Sequence, residues 1–144
     1  MHEFRARRRV EFSDTDMGGI MHFSRFFVFM ETAEHLFLEA LGTSVHVYHD
    51  GAAIGWPRVS VSCEFVSPAR FGEVVEIHLR VLRKGRSSIS YGFEITRDGN
   101  LLARGRSTAV CCVLNDPAGV RAIPIPDFIG DLIEEAPDGK AFEG

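Results

Sequence analysis

One long helical stretch stands ahead of a run of strands, and that order limits what the chain can fold into. From 23 to 41, Phe26, Phe29, Met30, Ala33, Phe37, Ala40 and Leu41 recur at helical spacing on one face. Glu31, Glu34 and Glu39 lie off that face. Phe23, Phe27, Val28 and Leu36 widen it, so the helix is expected to be covered on more than one side. Ser24 is placed to cap its start and Gly42 to end it. At the standard rise it would be roughly 27 Å long. Past Pro57 the period drops to two. Val59, Val61, Cys63 and Phe65 alternate with Arg58, Ser60, Ser62 and Glu64, and 75–81 and 89–95 alternate in the same way. These are half-buried strands, punctuated by Pro68, Gly72, Gly85 and Asp98-Gly99-Asn100. A final strand, 101–113, puts only Ala103, Gly105, Ser107, Ala109 and Cys111 on one side, a surface that something approaches closely. Another strand, 4–12 with its charges outside, precedes the helix.

One helix covers one face of such a sheet. The order therefore predicts an α+β fold, a curved antiparallel sheet wrapped around one long central helix. Its exposed edges favour a dimer with two sheets joined edge to edge. No repeat or linker divides the 144 residues, so a single domain is expected, with a core over about 4–115 and a C-terminal extension over 116–144. Within that extension 127–135 has the pattern of a short amphipathic helix, followed by a frayed tail.

Composition removes several function classes. A formal net charge of -4 and the lack of a reader motif argue against nucleic-acid binding, despite the basic run Arg5-Ala6-Arg7-Arg8-Arg9. Cys63, Cys111 and Cys112 are odd in number, form no C-x-x-C pair and sit in apolar strands, which reads as reduced core thiols. The N-terminal residues lack the apolar stretch of a signal peptide, and no apolar run has the length of a membrane span. A cytoplasmic protein is expected. Walker A, G-x-S-x-G and Rossmann fingerprints are missing, so P-loop, serine-hydrolase and nicotinamide chemistry are disfavoured and no cofactor is expected. Glu31 and His35 are one helical turn apart, but no third ligand accompanies them, and no metal site is expected.

Chemistry gathers in the turn Asp14-Thr15-Asp16-Met17-Gly18-Gly19-Ile20-Met21-His22, directly before the helix. There the free backbone N–H groups and the positive end of the helix dipole act on a ligand. Gly18 and Gly19 supply unusual backbone angles or close ligand approach. Spacing alone leaves Asp16 two readings, a reactive carboxylate or the residue closing an Asx turn or capping the helix. Asp14 reads as a turn residue supporting it.

This turn, followed by Phe29-Met30-Glu31-Thr32-Ala33, resembles the hot-dog-fold thioesterases of the 4-hydroxybenzoyl-CoA type. It is most similar to the branch of small bacterial acyl-CoA thioesterases found with the Tol–Pal system. The stretch from Val61 to Gly72 is similar to that family's second strand and turn, and the likeness covers roughly 5–115, by the order of its elements. The resemblance implies hydrolysis of an acyl or aroyl thioester to a free acid and CoA. It places the catalytic carboxylate at Asp16, as nucleophile or as general base for water, two routes the sequence does not separate. An aspartate is ordinarily ionised at neutral pH and needs no activating partner. The resemblance also implies that the amide of Phe23 polarises the thioester oxygen, worth about 3–4 kcal/mol for one well-placed donor. His22 matches a histidine that orients water or substrate, with a plain polar residue at the helix entrance as the alternative. The pocket would lie between two chains of a homodimer, itself assembled into a homotetramer.

Arg83-Lys84-Gly85-Arg86-Ser87-Ser88 is a basic turn suited to CoA phosphates, with Arg86 and Ser87 as the candidates, or else an ordinary solvated hairpin. Two rivals stand beside the thioesterase reading. One is a hydratase or dehydratase using Asp16 with His22, the other a non-catalytic acyl-thioester-binding protein. Met21 replaces an aromatic residue common in the branch, and Glu34 replaces a basic one; both bear on substrate class.

Overall fold

The computed structural model describes residues 1–137, so most of the expected frayed tail lies outside the described residues. β1 (Glu3–Arg9) leads through a short 3-10 turn (Phe12–Asp14) and a loop into α1 (Phe23–Ala40). β2 (Val47–His49), β3 (Ala52–Gly55) and β4 (Arg58–Phe65) follow. Next come β5 (Val74–Lys84), β6 (Ser88–Arg97), β7 (Asn100–Val110), β8 (Cys112–Val113), β9 (Arg121–Ala122) and the short α2 (Asp127–Gly130). Five strands form one antiparallel sheet in the order β1-β5-β6-β7-β4, and α1 packs across its inner face. This is the α+β architecture expected, a hot-dog fold.

The inward residues of β5 and β6 are fully buried beneath the helix, from Val75, Ile77 and Leu79 to Tyr91 and Phe93. Phe37 meets the Tyr91 ring edge-on at 6.0 Å. The small-residue side of β7 is closely approached by the helix, since a Cβ on Gly105 would lie 2.2 Å from Met30 Sδ. The helix stop is a Schellman motif. Gly42 has φ +86, its N–H donates to the Glu39 carbonyl, and Thr43 N–H donates to the Leu38 carbonyl.

Several expectations change. Ser24 lies inside α1, and His22 is the cap, because hydrogen bonds from Met21 N–H to the Ala69 carbonyl and from His22 N–H to the Asp14 carbonyl keep the backbone extended through position 22. Ala40 is exposed. Glu34 belongs to the covered face and is 1% exposed. It sits four residues from Met30 and three from Phe37, on the apolar stripe itself. The charges of β1 are not all outside either: Arg8 turns in, with its guanidinium 4.3 Å from the Phe29 ring centroid. A bulge between Arg58 and Ser60 likewise breaks the alternation in β4. Arg58 thereby pairs with inward Ala109 and points at the helix instead of sharing the outer face with Ser60 and Ser62.

A second sheet, β2-β3-β8-β9, was not foreseen, its strands being two to four residues long and too short to alternate. The C-terminal helix is shorter than 127–135, because the chain leaves it to reach back along the main sheet. Glu134 N–H donates to the Met1 carbonyl and Ala136 N–H to the Val81 carbonyl, with Ile129 and Ile133 fully buried. The cysteines are unpaired, and Cys111 and Cys112 are buried. Among the described residues no helix is long and apolar enough to cross a membrane.

Candidate active site

The loop between β1 and α1 is tied down by Asp14, which is completely buried. Its Oδ2 accepts the N–H of Glu11, and its Oδ1 accepts Nε and Nη2 of Arg25, each at 2.8 Å. Arg8 Nη2 lies 3.8 Å from the same oxygen. A carboxylate taken out of water is held by charge-assisted partners from β1 and the first turn of α1. Asp14 was read as a turn residue supporting Asp16, but not as an ion-pair anchor; its partner Arg25 lies eleven positions on, and no local motif links the two.

Next to this anchor the chain folds on itself. Thr15 bridges Met21, Asp16 N–H donates to the Ile20 carbonyl, and Gly19 N–H to the Asp16 carbonyl. Gly18 N–H donates to Asp16 Oδ1 at 2.8 Å, closing an Asx turn. Gly19 has φ +79, a conformation open to glycine at little cost. The carboxylate of Asp16 is exposed at the tip of this loop.

The helix start completes the arrangement. His22 Nδ1 accepts the N–H of Ser24 at 3.3 Å and lies 2.8 Å from Ser24 Oγ. Arg25 N–H donates to the His22 carbonyl. Phe23, the first helical residue, has no intrahelical acceptor for its N–H. Asp16 and Phe23 line one cavity of about 430 Å³, walled by Met21, Phe26, Phe65 and Pro68. The structure thus brings Asp16, Gly18, Gly19, His22 and Phe23 together. His22 does not line the cavity; its ring lies on Phe23, 4.6 Å between centroids. The wall from Phe65 to Pro68 was not assigned to the site from sequence, although its likeness to the family's second strand and turn was noted.

Arg86 and Ser87 lie elsewhere. Arg9 pairs with Val74 at the start of β5, so the Asp16 loop leaves the sheet at that end. The 85–88 turn is at the other end, roughly 33 Å away along a strand of this length. Lys84 is also committed, its Nζ donating to the carbonyls of Gly130 and Ile133.

A second polar cluster lies beneath α1. Arg58 Nη2 is 2.5 Å from Glu34 Oε2, and Nη1 is 3.3 Å from Glu31, the residue weighed above as a metal ligand. Burial pushes the Glu34 carboxyl up to about 7 against the pull of Arg58. In the unfolded chain this group titrates near 4.5, so between pH 4.5 and 7 the unfolded state gives up its proton first. Stability is therefore expected to fall as pH rises through that window, by on the order of 3 kcal/mol, and to level off above it. Chemical denaturation at several pH values checks this, with the fall absent in Glu34→Gln.

Comparison with known proteins places this geometry in a group. A sequence model described as the thioesterase-like superfamily matches residues 10–133. The chain is similar to a putative esterase of Aquifex aeolicus, 26% identical over 129 residues, covering 90% of this chain and 96% of the relative. It is also similar to a 1,4-dihydroxy-2-naphthoyl-CoA hydrolase of Synechococcus elongatus, 22% identical and covering 96% and 100%. Among solved structures, the hypothetical protein TT1821 of Thermus thermophilus is 32% identical with a TM-score of 0.76, covering 89% of this chain and 95% of that one.

Proposed function

This chain belongs to the thioesterase-like superfamily and is a thioester hydrolase, and from that premise we propose that it cleaves an acyl or aroyl thioester of coenzyme A at Asp16. The observation that carries the assignment is the shared cavity of Asp16 and Phe23: an exposed acidic residue and the first residue of α1 border the same space. A thioester carbonyl seated there would place its oxygen on the Phe23 N–H and its carbon before the Asp16 carboxylate. In one route Asp16 attacks that carbon, expelling the CoA thiolate and forming a mixed anhydride that water then hydrolyses to the acid and free Asp16. In the other, Asp16 takes a proton from a water that attacks the carbon and expels the thiolate directly.

Gly18 and Gly19 shape the loop and give the substrate close access to backbone. We assign His22 a positioning role, since its Nδ1 is engaged at the helix cap and its ring is outside the cavity lining. The hydratase alternative needs that histidine facing the substrate beside Asp16, and so loses its second group. The aroyl option draws on the naphthoyl-CoA relative, and the Tol–Pal-associated branch on the turn and the Phe29–Ala33 stretch.

The edge strand β4 supports a homodimer, and with a second contact a homotetramer. Among the described residues its outward edge is unpaired, and Val59, Val61, Phe65 and Val66 are exposed, the last two at the Asp16 cavity. Light scattering should give a multiple of the 16.0 kDa chain. In such an assembly Arg86 and Ser87 hold the phosphates of a substrate seated on another protomer. A cytoplasmic location fits the free thiols.

The test is Phe23→Pro. Proline suits the first helical position, and His22 at φ −63 and ψ 140 accepts a following proline. The exchange removes the N–H under test. Thiol release from a panel of acyl- and aroyl-CoA substrates should fall about 10²–10³-fold in kcat. Phe23→Ala, which keeps the amide and loses the ring, should stay far closer to wild type. Equal losses in both variants refute the amide's role, and no thiol release by wild type refutes the substrate class.

A further inference from the structure

Two separate cavities lie along α1 and β4, the first of them the Asp16 cavity. Phe26 and Phe65 meet edge to face there, 5.1 Å between centroids. Beyond them lies a second cavity of about 380 Å³. Phe27, Val61 and Phe93 give it apolar walls, and Glu34, Arg58 and Ser107 give it a polar end. Two side-chain atoms at that end, Glu34 Oε1 and Ser107 Oγ, are buried with no hydrogen-bond partner among the described residues. Their residues are 1% and 4% exposed. Unpartnered polar atoms are rare in a native interior, and two lining one cavity mark a place prepared for a ligand group. The β-bulge that turns Arg58 inward is a further constructed feature, because without it this end of the cavity would lack its cation.

We propose that this cavity receives the far end of a medium-chain acyl group, and that Glu34, Arg58 and Ser107 select a chain carrying a hydroxyl there. The proposal rests on the thioester-hydrolase reading with Asp16 and Phe23. Glu34 is eleven residues beyond Phe23 on α1, roughly 16 Å along the axis. Side chains lean toward the helix N-terminus, which shortens the path. An extended chain advances about 1.25 Å per C–C bond, so some ten to twelve carbons link a carbonyl at the Phe23 amide to the Glu34 carboxyl.

The chemistry of the polar end selects the group. A hydroxyl both donates and accepts, matching the free carboxyl oxygen of Glu34 in either protonation state and the Ser107 hydroxyl. A terminal carboxylate would face Glu34 and Glu31, with one guanidinium already shared between them. An ammonium would leave water for a cavity with apolar walls.

The experiment compares kcat/KM for the CoA thioesters of dodecanoic, 12-hydroxydodecanoic and dodecanedioic acids, with 4-hydroxybenzoyl-CoA alongside. Wild type should prefer the hydroxylated chain over the plain one by about tenfold or more, since a site with polar groups to satisfy discriminates against a ligand lacking their partner. The diacid should be the poorest of the three chains. Ser107→Ala should reduce the preference severalfold. The double variant Glu34→Leu/Arg58→Leu, which removes the ion pair as a unit, should bring it near one. Plain and hydroxylated chains turned over equally by wild type overturn the selection while leaving the hydrolase reading intact. Turnover of 4-hydroxybenzoyl-CoA with the same dependence on Ser107 and the ion pair overturns the chain length, because a single ring in this protomer does not reach from Phe23 to Glu34. Thiol release from none of the four removes the hydrolase reading and the proposal with it.

Discussion

Asp16→Asn is expected to fold as wild type and to lose about 10³-fold or more in kcat/KM on whichever CoA thioester proves best. The fold should survive because the one hydrogen bond made by this side chain survives. Gly18 N–H donates to Asp16 Oδ1, and the amide oxygen of asparagine accepts in the same place. An added Cβ at Gly18 would lie 3.1 Å from that oxygen, so the loop fits closely around the group and has little room to reorganise. What the exchange removes is charge. An amide neither attacks a thioester carbonyl nor takes a proton from water, so both routes open to Asp16 fail together. The measurement is thiol release with matched thermal melts. A variant within tenfold of wild type would mean that the reacting group is another residue, whereas a collapse with an unchanged melt places the chemistry at the loop tip.

The parts of this site that were legible in the sequence are those in which neighbours in the chain remain neighbours in space. Asp16, Gly18, Gly19 and the start of α1 lie within one short loop, and their residue types alone indicate a turn against a helix N-terminus. The Gly42 stop and the small side of β7 are of the same kind, local patterns with local causes. The rest depends on partners distant in the chain. Alternation shows which residues of β4 share a face, but not that β4 crosses to the far edge beside β7, where Val59, Val61 and Phe65 are left exposed. A single bulge reverses the expected direction of Arg58, and that reversal is what allows Glu34 to be buried. The 85–88 turn carries suitable residues for phosphates, yet lies at the opposite end of β5 from Asp16, since sequence spacing contains no measure of distance across a sheet. His22 was read from its match to a histidine of the resembled turn, and in the structure its ring caps the helix.

Asp14→Ala should have the largest effect on stability, about 2–4 kcal/mol, or a melting temperature lower by roughly 10 °C for a domain of this size. The buried carboxylate of Asp14 satisfies the Glu11 N–H and two nitrogens of Arg25. Removing it leaves the Arg25 guanidinium, whose side chain is 32% exposed, to find water, which places the cost below that of a wholly buried pair. Arg8 is less able to move away, held by Thr32 Oγ1 at 2.6 Å and by the Phe29 ring. Asp14→Asn keeps an oxygen for Glu11 and loses the charge, so it should fall between the alanine variant and wild type. The consequence for activity follows from geometry. Asp14 links the end of β1 to the first turn of α1, and its carbonyl accepts the His22 N–H immediately before Phe23. Asp14 thus helps to set the distance from Asp16 to the Phe23 amide, together with the Thr15–Met21 bridge and the Asp16–Ile20 hydrogen bond. A shift of about 1 Å between reacting groups costs on the order of 10²-fold. Both alanine and asparagine variants should therefore lose kcat at temperatures where they remain folded, with the larger loss in alanine. Loss of stability with unchanged kcat would separate the anchor from catalysis and show that Asp16 and Phe23 are held in register by another contact.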